Sequence, residues 1–274
     1  MIIAGLPVAA SEIHHLARNW VRMALLREDP LAVAARFGFL YFSYAPDFDY
    51  LSLSLQSLAK AVHPSWIRSV TIAEDQKAPF SEEQREQLAR YMPALHWMPV
   101  HDFEWGSPRS THAELQVFER VCRNMPDDHD LLVKVDSDVL FLSNRKWELL
   151  LRSRALAIGD GHYLQHRFAQ GGLYMIRRHV VRHVLSKVSL AEIEAVAKKI
   201  DSVGEDMAIS QLLRDAGSPF FMSRMMLFPE EYRPLRRLNR LVRSEFLALH
   251  FHKDKSNMAA LARQHGLVEE AVPR

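Results

Sequence analysis

Residues 131–142 read LLVKVDSDVLFL, an apolar run broken by Asp136-Ser137-Asp138 and resumed at once. Two carboxylates one residue apart, where a buried strand turns, need a cation to neutralise them. Oxygen ligands suit a hard divalent ion such as Mg2+ or Mn2+. An ion held by so few protein groups keeps coordination positions open, and substrate phosphates typically fill them. Binding of a phosphorylated ligand is therefore the first chemistry to expect.

Three later clusters carry polar groups of the same kind. Gln170-Gly171-Gly172-Leu173-Tyr174 opens another apolar strand. Its paired glycines permit a close backbone approach to a ligand or a positive φ, and a plain turn is the bland alternative. Ser202-Val203-Gly204-Glu205-Asp206 precedes the helical stretch MAISQLLRDAG. Ser202 and Glu205 have capping-box spacing and acids favour a helix N-terminus, so both acids have a structural reading. The functional reading makes Asp206 a general base. Leu249-His250-Phe251-His252-Lys253 alternates as a strand would, which puts His250 and His252 on one face. One of them is enough for a metal ligand. A zinc site using both has acceptable spacing, but the aspartate pair favours a six-coordinate ion.

The elements that must position these groups alternate between strand and helix. FGFLYFSY (37–44) reads as a buried strand, followed by a helix with Leu51, Leu55, Leu58 and Val62 on one face. IRSVTIAED (67–75) is the next strand, and Ser81 with Gln84 marks the start of the helix EEQREQLARYM. ALHWMPV is a third strand candidate, a polar loop spans 101–112, and the helix containing Cys122 stops at Pro126. A helix from about Arg145 and a strand at ALAI follow the two-acid strand. This order predicts an α/β domain with a mostly parallel sheet flanked by helices. Ligands in such sheets collect at the carboxyl ends of the strands, so Asp75 and Asp136 belong on one rim. A helical extension over 1–35, a domain over 36–255 and a tail over 256–274 complete the expected organisation.

The bulk composition is that of a soluble enzyme: 274 residues, 48% hydrophobic, with a formal net charge of +2. So small a charge gives no footprint for nucleic acid. The single cysteine, Cys122, excludes a disulfide framework and reads as a small core residue. No window approaches the ~20 apolar residues of a membrane span, and residues 13–29 are too often interrupted by polar groups for a secretory signal. The expected location is cytoplasmic, with any lipid-linked material handled from the membrane surface. Between 233 and 243, Arg233, Arg236, Arg237, Arg240 and Arg243 interleave with leucines. That stretch is a solvated helix face, a phosphate clamp or a patch for anionic lipid.

In order along the chain, DSD at 136–138, QGGLY at 170–174, GED at 204–206 and HFH at 250–252 resemble the motif set of the GT-A glycosyltransferases. The resemblance covers residues 36–255. Lys134 before the acids, and Phe251-His252-Lys253, are similar to the Fringe-like inverting branch, although Ser137 stands where that branch commonly has a third acid. The resemblance implies a Rossmann-like GT-A fold and a nucleoside diphosphate sugar donor, most often a UDP sugar. It implies Asp138 as ligand to Mn2+ or Mg2+, Asp136 as contact to metal or ribose, and His252, or failing that His250, as third ligand. It also implies Asp206 as base, Gly171 and Gly172 along the donor sugar and acceptor, Lys134 at the donor site, and Asp75 against the nucleoside base. Transfer to an unspecified acceptor hydroxyl, with inversion, is the expected reaction.

Two rival readings use the same residues. A metal-dependent phosphohydrolase or nucleotidyltransferase would employ the same acids, but the stretch after the first strand, SYAPDFDY, lacks the glycines and basic residues of a nucleotidyltransferase loop. A non-catalytic protein bound to a membrane surface would rest on the arginine–leucine stretch alone.

Overall fold

The computed structural model describes residues 2–3, 6–7, 27–92, 95–101, 104, 106–142, 146–161, 168–229, 246–252 and 255–268. Most of the expected helical extension over 1–35 and the arginine–leucine stretch 233–243 lie outside them.

Strand β1 (Phe37–Ser43) is buried along its whole length, as a central strand covered on both faces must be. Its side chains alternate between two cores. Phe37, Phe39 and Tyr41 pack with Leu51, Leu55 and Leu58 of helix α1 (Phe48–Ala61). Leu40 and Phe42 pack on the other side with Leu115, Phe118 and Cys122 of helix α3 (Pro108–Arg123). Burial pushes the Cys122 thiol up to about 12, which makes it an inert core residue.

β2 (Ile67–Asp75) and β3 (Leu95–Val100) extend the sheet on one side of β1, all three parallel. On the other side lie β4 (Leu131–Asp136), β7 (Leu173–Arg177), β6 (Ala157–Asp160) and β8 (Phe221–Ser223). The seven-stranded order is β8-β6-β7-β4-β1-β2-β3. Only β7 runs against the rest, pairing antiparallel with both β4 and β6. The mostly parallel α/β sheet expected from the alternation is present, with this one reversal. Its consequence is positional: β7 begins where β4 ends, so Gly172 lies beside Asp136, whose N–H donates to the Gly172 carbonyl at 3.0 Å.

A second sheet of three strands, β9-β10-β5, joins β9 (Met226–Leu227) and β10 (Ala248–His250) to β5 (Val139–Phe141). Helix α8 (Met258–Gln264) closes over it, with Met258 and Ala262 buried among Leu140, Leu142, Leu249 and Phe251. Residues beyond 255 thus pack into the same core.

Local signals behave unevenly. Ser81 and Gln84 form both bonds of the predicted capping box, at 3.2 and 2.9 Å, at the start of α2 (Glu82–Tyr91). The loop expected to run to 112 is shorter, because Pro108 opens α3 with Ser107 as its cap. The Ser202–Glu205 capping box does not form. Helix α7 (Glu205–Asp215) starts too late for Ser202 to cap it, with Gly204 as an N-cap that has no side chain to contribute. Glu205 is drawn instead to Ser110 of α3, whose hydroxyl donates to it at 3.0 Å.

Candidate active site

Strand β4 delivers Asp136 at the carboxyl rim, and the chain turns through Ser137-Asp138 directly into β5. β10 pairs with β5 in the register His250↔Val139, so His250 enters opposite the residue that follows Asp138. Carboxylate oxygens of Asp136 and Asp138 and a ring nitrogen of His250 all lie within 4.8 Å of one another. His250 Nε2 is 3.3 Å from Asp138 Oδ1 and 3.7 Å from Asp136 Oδ2. An octahedral ion with ligands at ~2.1 Å requires neighbouring ligand atoms ~3 Å apart, which these spacings suit.

Two of these atoms, Asp138 Oδ1 and His250 Nε2, are buried without a hydrogen-bond partner although they face one another. Buried polar atoms left so cost free energy, and a shared cation satisfies both. One imidazole and two carboxylates form a donor set that accepts Mn2+ or Mg2+. The other His250 nitrogen, Nδ1, is 2.8 Å from the Gln170 side-chain nitrogen Nε2. With that amide turned over, its carbonyl oxygen would face an Nδ1 proton and leave the Nε2 lone pair for a metal.

Two lysines lie against the acids. Lys134 Nζ donates to Asp136 Oδ1 at 2.5 Å and to the Gly171 carbonyl at 2.8 Å. Lys255 Nζ lies 3.2 Å from Asp138 Oδ2 and 3.5 Å from Asp47 Oδ1, and the Ser137 hydroxyl donates to Asp47 Oδ2 at 2.7 Å. Burial by itself would raise the Asp138 carboxyl, but His250 and Lys255 outweigh it and hold the group down at about 2. Lys134 shows the converse: burial disfavours its charge, yet Asp136 and Glu114 hold its pKa above the usual lysine value.

A cavity of about 150 Å³ opens beside Asp136, lined among others by Glu114, Lys134, Tyr174, Glu205 and Asp206. Asp206 sits in it half-buried, with Oδ1 accepting from the Met207 N–H at 2.8 Å. Burial raises its pKa, against the backbone bond and Lys134, which lower it. Glu114 accepts from the Tyr174 hydroxyl at 2.7 Å, and burial pushes it up to about 7.

That value carries a stability prediction. Between the ordinary glutamate value of 4.5 and about 7, the folded state keeps a proton that the unfolded chain has lost. Stability therefore falls as pH rises through this window, by up to about 3 kcal/mol. Glu114→Gln is expected to flatten the slope, read as urea midpoints at pH 4.5 and 7.5. An unchanged slope would assign it to another group.

The predicted site residues are brought together to different degrees. Asp136, Asp138, His250, Lys134, Gly171, Gly172 and Asp206 converge on one stretch of rim. Neither Gly171 nor Gly172 takes a positive φ. What their lack of a side chain provides is room. A Cβ on Gly172 would stand 2.6 Å from the His250 ring, and one on Gly171 would stand 3.3 Å from Asp206 Oδ2. Asp75 ends β2 on the same rim, two strands from Asp136, where Oδ1 accepts from the Lys77 N–H at 2.9 Å. His252, the first choice as third ligand, is exposed and lies against Phe228 and His250 instead. β10 ends at His250, so the alternation that was to carry His252 to the acids stops there. Lys253 lies outside the described residues.

Glu114, Asp47 and Lys255 were not picked out from the sequence. Glu114 had a detectable signal: an acid in register with Val117, Phe118 and Val121 on the apolar stripe of an amphipathic helix. Asp47 and Lys255 gave none, since each looks like an ordinary loop charge.

No family model matches the chain, and no curated protein is significantly similar to it. Solved structures do match. A galactosyltransferase, LgtC, in complex with donor and acceptor sugar analogues superposes with a TM-score of 0.57 at 16% identity, over 86% of this chain and 98% of that one. An active-site mutant of LgtC gives 0.54 at 14% identity, over the same shares. The bifunctional glycosyltransferase WbbM gives 0.52 at 11% identity, over 82% of this chain and 47% of that one. None of these supports the Fringe-like branch in particular. At such identities the likeness establishes architecture: the chain has the α/β fold of the GT-A glycosyltransferases.

Proposed function

We propose that the protein is a metal-dependent glycosyltransferase that moves a sugar from a nucleoside diphosphate donor, in the first instance a UDP sugar, to an acceptor hydroxyl. The observation that carries this is the convergence of Asp136, Asp138 and His250 beside a polar cavity, on the rim of a GT-A sheet. Asp136, Asp138 and His250 would hold Mn2+ or Mg2+, which when bound supplies charge compensation to the diphosphate leaving group. Lys134 orients Asp136 by bonding it and the Gly171 carbonyl together. Gln170 orients His250 in the same way. Asp75, at the far end of the same rim, is assigned to the nucleoside base.

Asp206 is assigned to the acceptor proton. Its burial raises its basicity toward the working pH, and a base so placed is typically worth ~10²–10⁴-fold in rate. Asp206→Asn, which keeps an acceptor oxygen in place, is therefore expected to bind donor within a few-fold of wild type and transfer at least a hundredfold more slowly. Weaker donor binding with an unchanged transfer rate would leave Asp206 as a wall of the sugar pocket and nothing more. The structural matches lend no support to inversion. The anomeric configuration of the product, read by NMR, assigns the stereochemistry.

The direct test is a thermal-shift panel of UDP, GDP and their sugars with and without Mn2+. Stabilisation is expected only with the ion present, because the phosphates bind through it. Release of free nucleoside diphosphate alongside a glycosylated acceptor then separates transfer from hydrolysis, whereas pyrophosphate as product would support a nucleotidyltransferase. Among the described residues no helix is long and apolar enough to cross a membrane. A peripheral membrane contact through Arg233–Arg243 is testable by liposome co-sedimentation.

A further inference from the structure

The cavity beside Asp136 is small. At about 150 Å³ it is well below the ~300–1,000 Å³ of pockets that hold a whole drug-sized ligand. It suits one sugar ring and not a nucleotide.

Its hydrogen-bonding character is one-sided. Besides Asp136, three carboxylates line it, and each of these three is held by the protein through a single oxygen. Glu114 Oε1 accepts from the Tyr174 hydroxyl, Glu205 Oε1 from the Ser110 hydroxyl, and Asp206 Oδ1 from the Met207 N–H. Among the described residues the second oxygen of each makes no hydrogen bond. The donors nearby are largely spent. The Tyr174 hydroxyl is committed to Glu114, and Lys134 uses two of its three protons on Asp136 and the Gly171 carbonyl.

Such a cavity offers acceptors, so its ligand must bring donors. Hydroxyl groups do this. A carboxylate on the ligand would bring another negative charge into a poorly solvated space against Glu114, Glu205 and Asp206, with one lysine in opposition. Burial already raises the pKa of both Glu114 and Asp206, Glu114 to about 7, so charge in the cavity is disfavoured, and the acceptor character and the repulsion apply above neutrality, where Glu114 is ionised. Glu114 is the most deeply buried of the three acids, at 2% exposure, and comes from helix α3, apart from the Asp136–Asp138 turn to which the ion is assigned.

Resting on the site reading above, we propose that this cavity receives the donor's sugar through its hydroxyl groups, and that Glu114 is a specificity-determining residue that excludes uronic acid donors. The physical logic is that of negative selection. A site built from fixed, unpaired acceptors discriminates by leaving them unsatisfied, or repelled, when the wrong group enters.

Calorimetry with Mn2+ at pH 8, where Glu114 is ionised, tests this, using UDP, UDP-glucose, UDP-galactose, UDP-glucuronate and UDP-galacturonate on the wild-type protein and on Glu114→Gln. If GDP is the nucleotide retained, GDP-mannose and GDP-mannuronate take their places. The wild type is expected to bind at least one neutral donor tenfold or more tighter than its matching uronate. Glu114→Gln keeps the shape and an acceptor for Tyr174 while removing the charge. It is expected to bind the bare nucleoside diphosphate within twofold of wild type and to shrink the neutral-to-uronate ratio at least threefold. Equal binding of the neutral and uronate donors by the wild type overturns the proposal, whether or not the variant folds. So does an unchanged ratio in a variant whose melting temperature shows it folded. If neither UDP nor GDP binds in the presence of Mn2+, the glycosyltransferase reading itself fails, a result distinct from loss of sugar discrimination.

Discussion

Asp138→Ala is expected to abolish Mn2+-dependent donor binding and to remove more than nine-tenths of the turnover. Asp138 is almost fully buried, with one oxygen facing His250 Nε2 at 3.3 Å and the other facing Lys255 Nζ at 3.2 Å. No neighbour among the described residues replaces it. Asp47 is turned toward Lys255 and Ser137, and Asp136 is bound by Lys134. The variant leaves one carboxylate and one imidazole, too few to hold a hard ion against water. A tenfold loss corresponds to about 1.4 kcal/mol of transition-state stabilisation, and a variant that retains more than a tenth of the rate would remove the ion from the reading. Ser137→Ala is the control. It loses only the bond to Asp47, expected to cost about 1 kcal/mol of stability, and should keep ion binding.

Gly172→Ala should be nearly as damaging, for a steric reason. The added Cβ would stand 2.6 Å from both Cε1 and Nδ1 of His250 and 2.9 Å from its Cγ, closer than packed atoms come. The ring has little space to yield. It is buried, its Nδ1 is held by Gln170, and Phe228 lies against it. Overpacking of this kind costs ~1–3 kcal/mol. Here the cost falls on the orientation of the His250 ring. The expected result is at least a tenfold weaker Mn2+ affinity by calorimetry, with the far-UV circular dichroism unchanged. Gly171→Ala serves as comparison. Its Cβ would meet Asp206 Oδ2 at 3.3 Å, a milder contact that leaves His250 in place. If both variants bind Mn2+ as the wild type does, His250 is not a ligand.

Much of the fold was legible before the structure. The strand over 67–75 and the helix opened by Ser81 are both present, because an apolar run and a reciprocal cap are local properties. The Ser202–Glu205 box has the same spacing and failed, because α7 begins at Glu205 itself, and the Glu205 carboxylate accepts from Ser110 of α3. Spacing states what a pair can do. Where the helix starts decided what it did, and the carboxylate found a partner nearly a hundred residues earlier.

The same division runs through the site. Asp136 and Asp138 stood out from sequence alone as a pair that could hold an ion, and the structure sets them with His250 in one cluster. Asp206 and the two glycines were placed by their order along the chain. The choice between His250 and His252 was not available at that level, because period-two alternation makes them equivalent. The pairing of β10 with β5 broke the equivalence by ending the strand at His250 and setting it opposite Val139. Glu114 entered the cavity for a similar reason: α3 packs against the face of the sheet that carries Tyr174, and the acid on its apolar stripe is carried inward with it. Residue type and local spacing determined which groups are candidates for chemistry. Strand register and helix packing, which depend on contacts far apart in the chain, decided which of them meet.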